Sequence, residues 1–260
     1  MPSVFTTPTP AGLKRRPATP PLLLSYGVHM TVKSLIKKLN LSDSDFAAIK
    51  DAVVAAESKT TGEIAVAVAA ESGKYSFWEL LWSNGLAAVV LAVMIPFSAG
   101  ITSIFQKFYW DSVPAWIVPC VFVAAAFAIV VMGFYLCNIT AIDRMIIPSS
   151  EKTKTVSARA MQHFSESGVY NTKEHSGILI FVSYMEREVR IVADSGISSK
   201  ISQDLWNLIA DELCENLKKG DTVKAFTGAI EKCGDLLAEN FPNHEENPNE
   251  LSDGLVIIED

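Results

Sequence analysis

The stretch GILIFVSYMEREVRIVAD, residues 177–194, sets the expected fold of this chain. Its first eight residues are almost continuously apolar, which is typical of a central strand covered on both faces. Residues 185–188 indicate a polar turn, and VRIVAD indicates a returning strand that ends at Asp194. An earlier stretch, EIAVAVAA from Glu63, alternates loosely and predicts the first strand.

Amphipathic segments with capping residues predict the helices around these strands. Ser42 begins one helix, Ser149 or Ser150 begins another, and Ser202 caps a strong third that ends at Gly220. A final helix starts at Asp221, and LVII near the C-terminus is expected as an edge strand. Because a helix links the first two strands, we expect a parallel, right-handed crossover. Helices on both faces then give an α/β fold, a three-layer sandwich.

Two long uncharged stretches interrupt this pattern after the first strand. Residues 80–106 and 112–142 contain no Asp, Glu, Lys or Arg. A helix needs about 20 residues to cross a hydrocarbon core. We therefore predict a transmembrane hairpin with spans at about 78–98 and 113–137. The alternative, a buried hairpin in a soluble protein, is disfavoured because the rest of the chain is too small to enclose it.

The segment between the spans leaves two alternatives open. Apolar residues repeat at helical spacing over 101–109, which fits a short interfacial helix or an extension of the first span. Lys107 is the single basic residue of this loop, whereas five basic residues flank the hairpin: Lys59, Lys74, Arg144, Lys152 and Lys154. Positive charge collects on the cytoplasmic side. Both termini and the soluble part are therefore expected in the cytoplasm, at the cell (inner) membrane.

These patterns divide the chain into five expected parts. Residues 1–29 form a Pro-rich, disordered leader, or translation begins at Met30. Residues 30–75 and 141–241 form two halves of one domain, and residues 76–140 form the hairpin inserted between them. Residues 242–260 form an acidic tail.

Composition excludes several functional classes. The 260 residues include 22 basic and 29 acidic side chains, a net charge of −7, and eight acids without a base lie from Asp235 onward. The neutral body lacks the basic surface that nucleic acids require. Neither a phosphate-binding glycine loop nor a common hydrolase motif is present, so we expect no nucleotide. The absence of Asp, Glu, Lys and Arg from residues 80–106 and 112–142 argues against a transporter.

Several separated motifs resemble those of a known family. The stretches KTTGEIAVAVA, FSESGVYNTKEHSGILIFVSYMEREVRIVADSGI, ISQDLWNLI, AIEKCGDLLAENFP and NELSDGL are similar, in this order, to the TPM domain. That domain is named after a thylakoid lumen protein, a photosystem repair protein and a worm receptor modulator. The resemblance covers about residues 40–255 and is greatest to the bacterial membrane branch, in which two spans follow the first strand.

The resemblance implies the fold more strongly than the activity. Plant members are described as calcium-binding acid phosphatases that assist photosystem II repair, and an animal member is an auxiliary subunit of a receptor channel. For this chain, the favoured hypothesis is an accessory or binding module that is anchored in the lipid bilayer and contacts another membrane protein. The alternative is a metal-dependent phosphatase using Ca²⁺ or Mg²⁺.

Topology suggests where such chemistry would lie. The starts of parallel strands share one edge with the end of an antiparallel neighbour, which gathers Glu63, His175 and Asp194, with Thr60 and Thr61 nearby. Carboxylates and hydroxyls suit a hard cation, which would polarise a phosphoryl group. Glu63 and Asp194 are thus candidate metal ligands, and Asp194 is the candidate catalytic residue. Each residue also has a structural alternative. Glu63 would be a solvated acid at the start of a strand, Asp194 would stabilise the turn that follows it, and His175 would be an exposed loop residue.

Two further polar segments are expected to be structural. Glu186, Arg187 and Glu188 would face the membrane side as a solvated turn. The tail offers possible calcium ligands that lack the spacing of a calcium-binding loop, so a flexible acidic tail is the better interpretation: Asn247, Asn249, Glu250 and Asp253.

Overall fold

The computed structural model describes residues 30–137, 140–172, 175–243 and 254–258. The expected leader, residues 1–29, and the oxygen-rich part of the tail, residues 247–253, lie outside these ranges. The division of the chain into five parts therefore stays a prediction.

The described strands form one sheet in the order β3-β2-β1-β4. They are β1 (Glu63–Ala69), β2 (Gly177–Ser183), β3 (Glu188–Ala193) and β4 (Leu255–Ile258). β1 and β2 are parallel, with Glu63 opposite Gly177, and β3 returns antiparallel to β2. The edge strand predicted from LVII is confirmed, and it lies parallel to β1.

Helices cover both faces of this sheet. The helices of the soluble part are α1 (Val32–Leu39), α2 (Asp43–Glu57), α6 (Thr140–Ile146), α7 (Ser149–Glu166), α8 (Ser195–Ser198), α9 (Gln203–Lys219) and α10 (Thr222–Asn240). One face packs against α1, α2, α9 and α10, and the other packs against α7. Every residue of β2 is buried, because both faces of this central strand are covered. The three-layer α/β sandwich is confirmed.

The helix boundaries follow from local capping. Ser42 and Asp45 form a reciprocal capping box at α2. The Ser202 hydroxyl accepts a hydrogen bond from the Asp204 amide at the start of α9. Gly220 ends α9 at φ 90°, a left-handed conformation that glycine adopts at little cost. These are the start and stop signals that the sequence predicted.

The two apolar stretches form long helices that pair with each other. α3 (Ser76–Met94) passes through a 3-10 turn into α4 (Ser98–Gln106), and α5 (Ile117–Cys137) returns beside α3. Both are long and apolar enough to cross a membrane, and their most apolar windows are 0% and 11% buried by protein. Residues 101–106 lie in α4, which extends the first helix, and the helix ends before residues 107–109. An interfacial position for this segment stays a prediction.

Gly133 and Ser83 make a close contact between α3 and α5. A Cβ atom at Gly133 would lie 2.9 Å from the Ser83 hydroxyl. Ser83 is almost fully buried, and its hydroxyl donates to the Glu79 carbonyl within α3. Small residues at such contacts let two helix backbones approach closely.

Candidate functional site

The amino-terminal edge of the sheet holds the residues proposed for cation binding. Glu63 lies opposite Gly177 in the parallel ladder, and the Asp194 amide donates to the Gly177 carbonyl at 2.9 Å. Ile64 and Ala193 face the α10 side of the sheet. Because side chains alternate along a strand, Glu63 and Asp194 both point to the α7 side. The two carboxylates therefore flank Gly177 in one row, as the topology predicted.

Direct contact within this group is made between Asp194 and His175. Asp194 Oδ2 lies 3.3 Å from His175 Nδ1. Asp194 Oδ1 accepts hydrogen bonds from the amide and the hydroxyl of Ser195, and Asp194 caps α8. The side chain of His175 is 62% exposed. Asp194 thus has the turn-stabilising role that the sequence offered as its alternative.

Val169 packs against Gly177, the residue that Glu63 and Asp194 flank. A Cβ atom on Gly177 would lie 2.2 Å from the Val169 carbonyl oxygen and 2.8 Å from its side chain. The chain at Val169 therefore packs directly over Gly177. Glu63 is 2% exposed, which contradicts the solvated strand-start alternative.

The threonines beside this row have structural partners. The Thr60 hydroxyl donates to the Phe241 carbonyl at 2.6 Å and accepts from the Gly62 amide. The Thr61 carbonyl accepts from the Ser176 hydroxyl. Across the described ranges, no group of three or more His, Cys, Asp or Glu side chains is arranged to hold a metal ion. Glu63 and Asp194 stay predicted ligands, with carboxylate chemistry that suits Ca²⁺ or Mg²⁺.

At the opposite edge, Glu186 is the centre of a buried hydrogen-bond network. Its Oε1 accepts from the Ser72 amide at 2.9 Å and from the Tyr75 hydroxyl at 2.8 Å. Its Oε2 accepts from the Ser183 hydroxyl at 2.5 Å. Glu186 is 5% exposed, so the prediction of a solvated turn is wrong for this residue. The network joins the end of β1 to the turn between β2 and β3.

Both ends of the helical hairpin contact this turn. On the first side, Tyr75 packs with Met185 and Ile147 in a small apolar cluster that also includes Trp78. On the returning side, the Arg144 guanidinium donates to the carbonyls of Met185 and Tyr184 at 2.7 and 3.2 Å. The turn thus fixes the hairpin to the α/β domain at two points.

Burial shifts the pKa of three groups around the base of the hairpin. Burial and the Glu186 carboxylate raise the pKa of Tyr75, which keeps its hydroxyl a hydrogen-bond donor. Burial, with Glu79 and Glu71 adding repulsion, raises the pKa of Asp143 to about 7. Burial and the nearby Arg187 lower the pKa of Arg144.

The sequence reasoning missed the role of Glu186 because turn composition alone does not show which side chain folds inward. A usable signal was present in the topology. In open α/β sheets, sites form outside the carboxyl ends of parallel strands. Ser183 is the last residue of β2, and Ser72 and Glu186 follow the ends of β1 and β2.

Comparison with known proteins gives a family match for part of the chain. Residues 140–236 match the family model described as the TPM domain. The expected TPM resemblance is therefore confirmed, with the match itself covering this second part of the chain. Comparison with curated proteins gives no match.

A solved structure is also similar to this chain. It is the NMR structure of the BA42 protein from the psychrophilic bacterium Bizionia argentinensis, with 20% sequence identity and a TM-score of 0.49. The similarity covers 84% of this chain and 94% of that one. A likeness of this extent supports no inference about activity.

Proposed function

We propose that this TPM-domain protein is an accessory or binding module, anchored in a cell membrane by its helical hairpin, that supports the assembly or upkeep of another membrane protein. The observation that carries the proposal is the attachment of both hairpin ends to one turn of the domain. A domain held rigidly against its own anchor can present a surface at a fixed height and angle to a membrane neighbour.

The exposed surface of the hairpin supports the anchor. The apolar windows of its two long helices are 0% and 11% buried by protein. Large side chains including Leu86, Val89, Val123 and Phe127 point outward. In water this apolar surface would favour aggregation, whereas in a bilayer it would contact the apolar acyl chains of the lipid.

Charge supports an orientation with the domain and both termini in the cytoplasm. The flanks carry five basic residues near the hairpin, and the connecting loop carries Lys107 alone. Positive residues are retained on the cytoplasmic side of the inner membrane. Reporter fusions after Lys107 and after Ile258 should therefore give opposite compartment signals, and equal signals would contradict the hairpin.

The function is tested by fractionation followed by affinity capture. We expect the full chain to resist alkaline carbonate extraction and to require detergent. Capture in a mild detergent should then recover a reproducible integral membrane protein that an unrelated two-span bait does not recover. A chain that stays soluble without detergent contradicts the anchor, and capture without a specific membrane partner contradicts the accessory role.

A metal-dependent phosphatase is the second candidate, favoured by the contact of 3.3 Å between His175 and Asp194. It is supported less well because the described residues hold no group of three or more His, Cys, Asp or Glu side chains arranged for a metal ion. The purified chain would be assayed for phosphate release with Ca²⁺, Mg²⁺ or Mn²⁺. Cation-dependent release that is lost in Asp194→Asn and kept in the exposed control Asp211→Asn would support this candidate. Absence of release with all three cations would contradict it.

A further inference from the structure

A cavity of about 360 Å³ opens beside the turn between β2 and β3. The carboxyl-terminal ends of α1 and α9 form its other walls. Three cationic side chains line it, Lys38, Arg187 and Lys218, together with apolar side chains that include Val189 and Leu217. A cavity lined by both cationic and apolar side chains suits a ligand that joins an anionic group to a hydrocarbon.

The positive charge of this cavity is not neutralised by its acidic lining residue. The Glu188 carboxylate accepts from the Thr153 hydroxyl at 2.7 Å and from Arg190 at 3.0 Å, so its charge is already matched. No carboxylate in the described part of the chain forms an ion pair with Lys38, Arg187 or Lys218. An anion entering the cavity would meet three cations.

The cavity adjoins the base of the hairpin through Tyr184. The Lys38 ammonium and the Arg144 guanidinium are each 5.7 Å from the centre of the Tyr184 ring. Arg144 itself holds the returning end of the hairpin to the turn. The ring of Tyr184 therefore connects the cavity to the point where the chain would leave the bilayer.

We propose that this cavity binds the phosphate of an anionic phospholipid headgroup. Lys38, Arg187 and Lys218 pair with the phosphate, and Val189 and Leu217 contact the adjoining glycerol and acyl carbons. Bound lipid would fix the height of the domain above the membrane surface. The inference rests on the proposed membrane anchoring, because only an anchored chain holds this cavity at headgroup level.

The chain contains its own matched control. Lys38 and Lys218 lie in the last turns of α1 and α9, where they also offset the helix dipoles. Lys37 and Lys219 lie in the same two turns but do not line the cavity. The double variants K38Q/K218Q and K37Q/K219Q thus remove the same charge from the same helix ends.

The test uses the full chain in a neutral detergent, with native mass spectrometry to count bound phosphatidylglycerol or phosphatidylcholine. We expect the wild type to bind phosphatidylglycerol about tenfold more strongly than phosphatidylcholine, since charged hydrogen bonds contribute this much. K38Q/K218Q and Arg187→Gln should lose this preference, and K37Q/K219Q should keep it. Glycerol phosphate and inorganic phosphate at equal concentration should displace little lipid.

Three results would overturn the inference. Equal binding of the two lipids would show that the anionic headgroup is not recognised. Equal losses of the phosphatidylglycerol preference in both double variants would show that the cavity is not the binding site. Displacement of the lipid by inorganic phosphate at equal concentration would assign the cavity to a soluble phosphate. Carbonate extraction of the same variants separates these outcomes from failure of the anchor, because extraction does not depend on this cavity.

Discussion

The Tyr75 hydroxyl donates a hydrogen bond of 2.8 Å to the Glu186 carboxylate, 111 positions later in the sequence. The whole hairpin lies within that interval. The contact links the two parts of the domain on either side of the hairpin, because it joins the residue before α3 to the turn after β2. It explains how two separated parts of the sequence build one α/β unit.

Glu186→Ala should therefore destabilise the domain strongly. The substitution leaves the Ser72 amide and the hydroxyls of Tyr75 and Ser183 without their acceptor, and each buried unsatisfied donor costs about 1–3 kcal/mol. We expect a loss of about 3 kcal/mol in unfolding free energy, measured by denaturant titration in detergent. Glu186→Gln should lose less because its amide oxygen can still accept. The exposed control Glu231→Ala should change stability by less than about 0.5 kcal/mol, and a similar loss in both variants would contradict the role of Glu186.

The raised pKa of Asp143 predicts that the stability of the domain depends on pH. Its pKa is raised from 3.8 to about 7 in the folded state, so the folded protein binds a proton that the unfolded chain releases. The stability associated with Asp143 is complete below the unfolded pKa and is lost as pH rises towards 7. Asp143→Asn should melt at a higher temperature than the wild type near pH 8, with a smaller difference near pH 5.

Because Asp143 is partly exposed, solvent screening limits this effect to about 1–2 kcal/mol. Asp211→Asn, an exposed acid on α9, is the matched control. A difference between Asp143→Asn and the wild type that stays constant with pH would show that the Asp143 pKa is not raised.

Gly177→Ala should disrupt the amino-terminal edge of the sheet. Its new methyl would lie 2.2 Å from the Val169 carbonyl oxygen, a backbone atom that cannot rotate away. We expect a loss of about 1–3 kcal/mol. Gly228→Ala is the opposite case, because its helix site is open and alanine favours helices, so a gain of about 0.5–1 kcal/mol is expected. Thermal melting compares the two directly, and equal effects would refute the proposed Val169 contact.

Two glycines of the hairpin, Gly133 and Gly85, allow a similar comparison of a packed and an open site. Gly133→Leu should separate α3 from α5, because even a Cβ atom there approaches the Ser83 hydroxyl to 2.9 Å. Gly85→Leu faces open space and should leave the helix pair intact. Cross-linking of cysteine pairs introduced along α3 and α5 would measure the separation. Reduced cross-linking is expected for Gly133→Leu, and unchanged yields in both variants would contradict the contact.

The amino-acid sequence by itself determined the strands, the long helices and their order. Strand GILIFVS, the caps at Ser42 and Ser202 and the stop at Gly220 are local signals, because backbone geometry and hydrophobic periodicity act over a few residues. The parallel pairing of β1 with β2 also followed, since crossover rules leave few alternatives. The two long apolar helices were equally evident from charge-free length.

Tertiary structure alone decided the environment of individual polar side chains. Glu186 and Arg187 are neighbours in one turn, yet the first is buried under three donors and the second lines an open cavity. Likewise Glu63 and Asp194 share a row, but Glu63 is buried whereas Asp194 contacts the exposed His175. The physical reason is that burial depends on which distant segments reach a residue. The pattern of nearby residues does not contain that information.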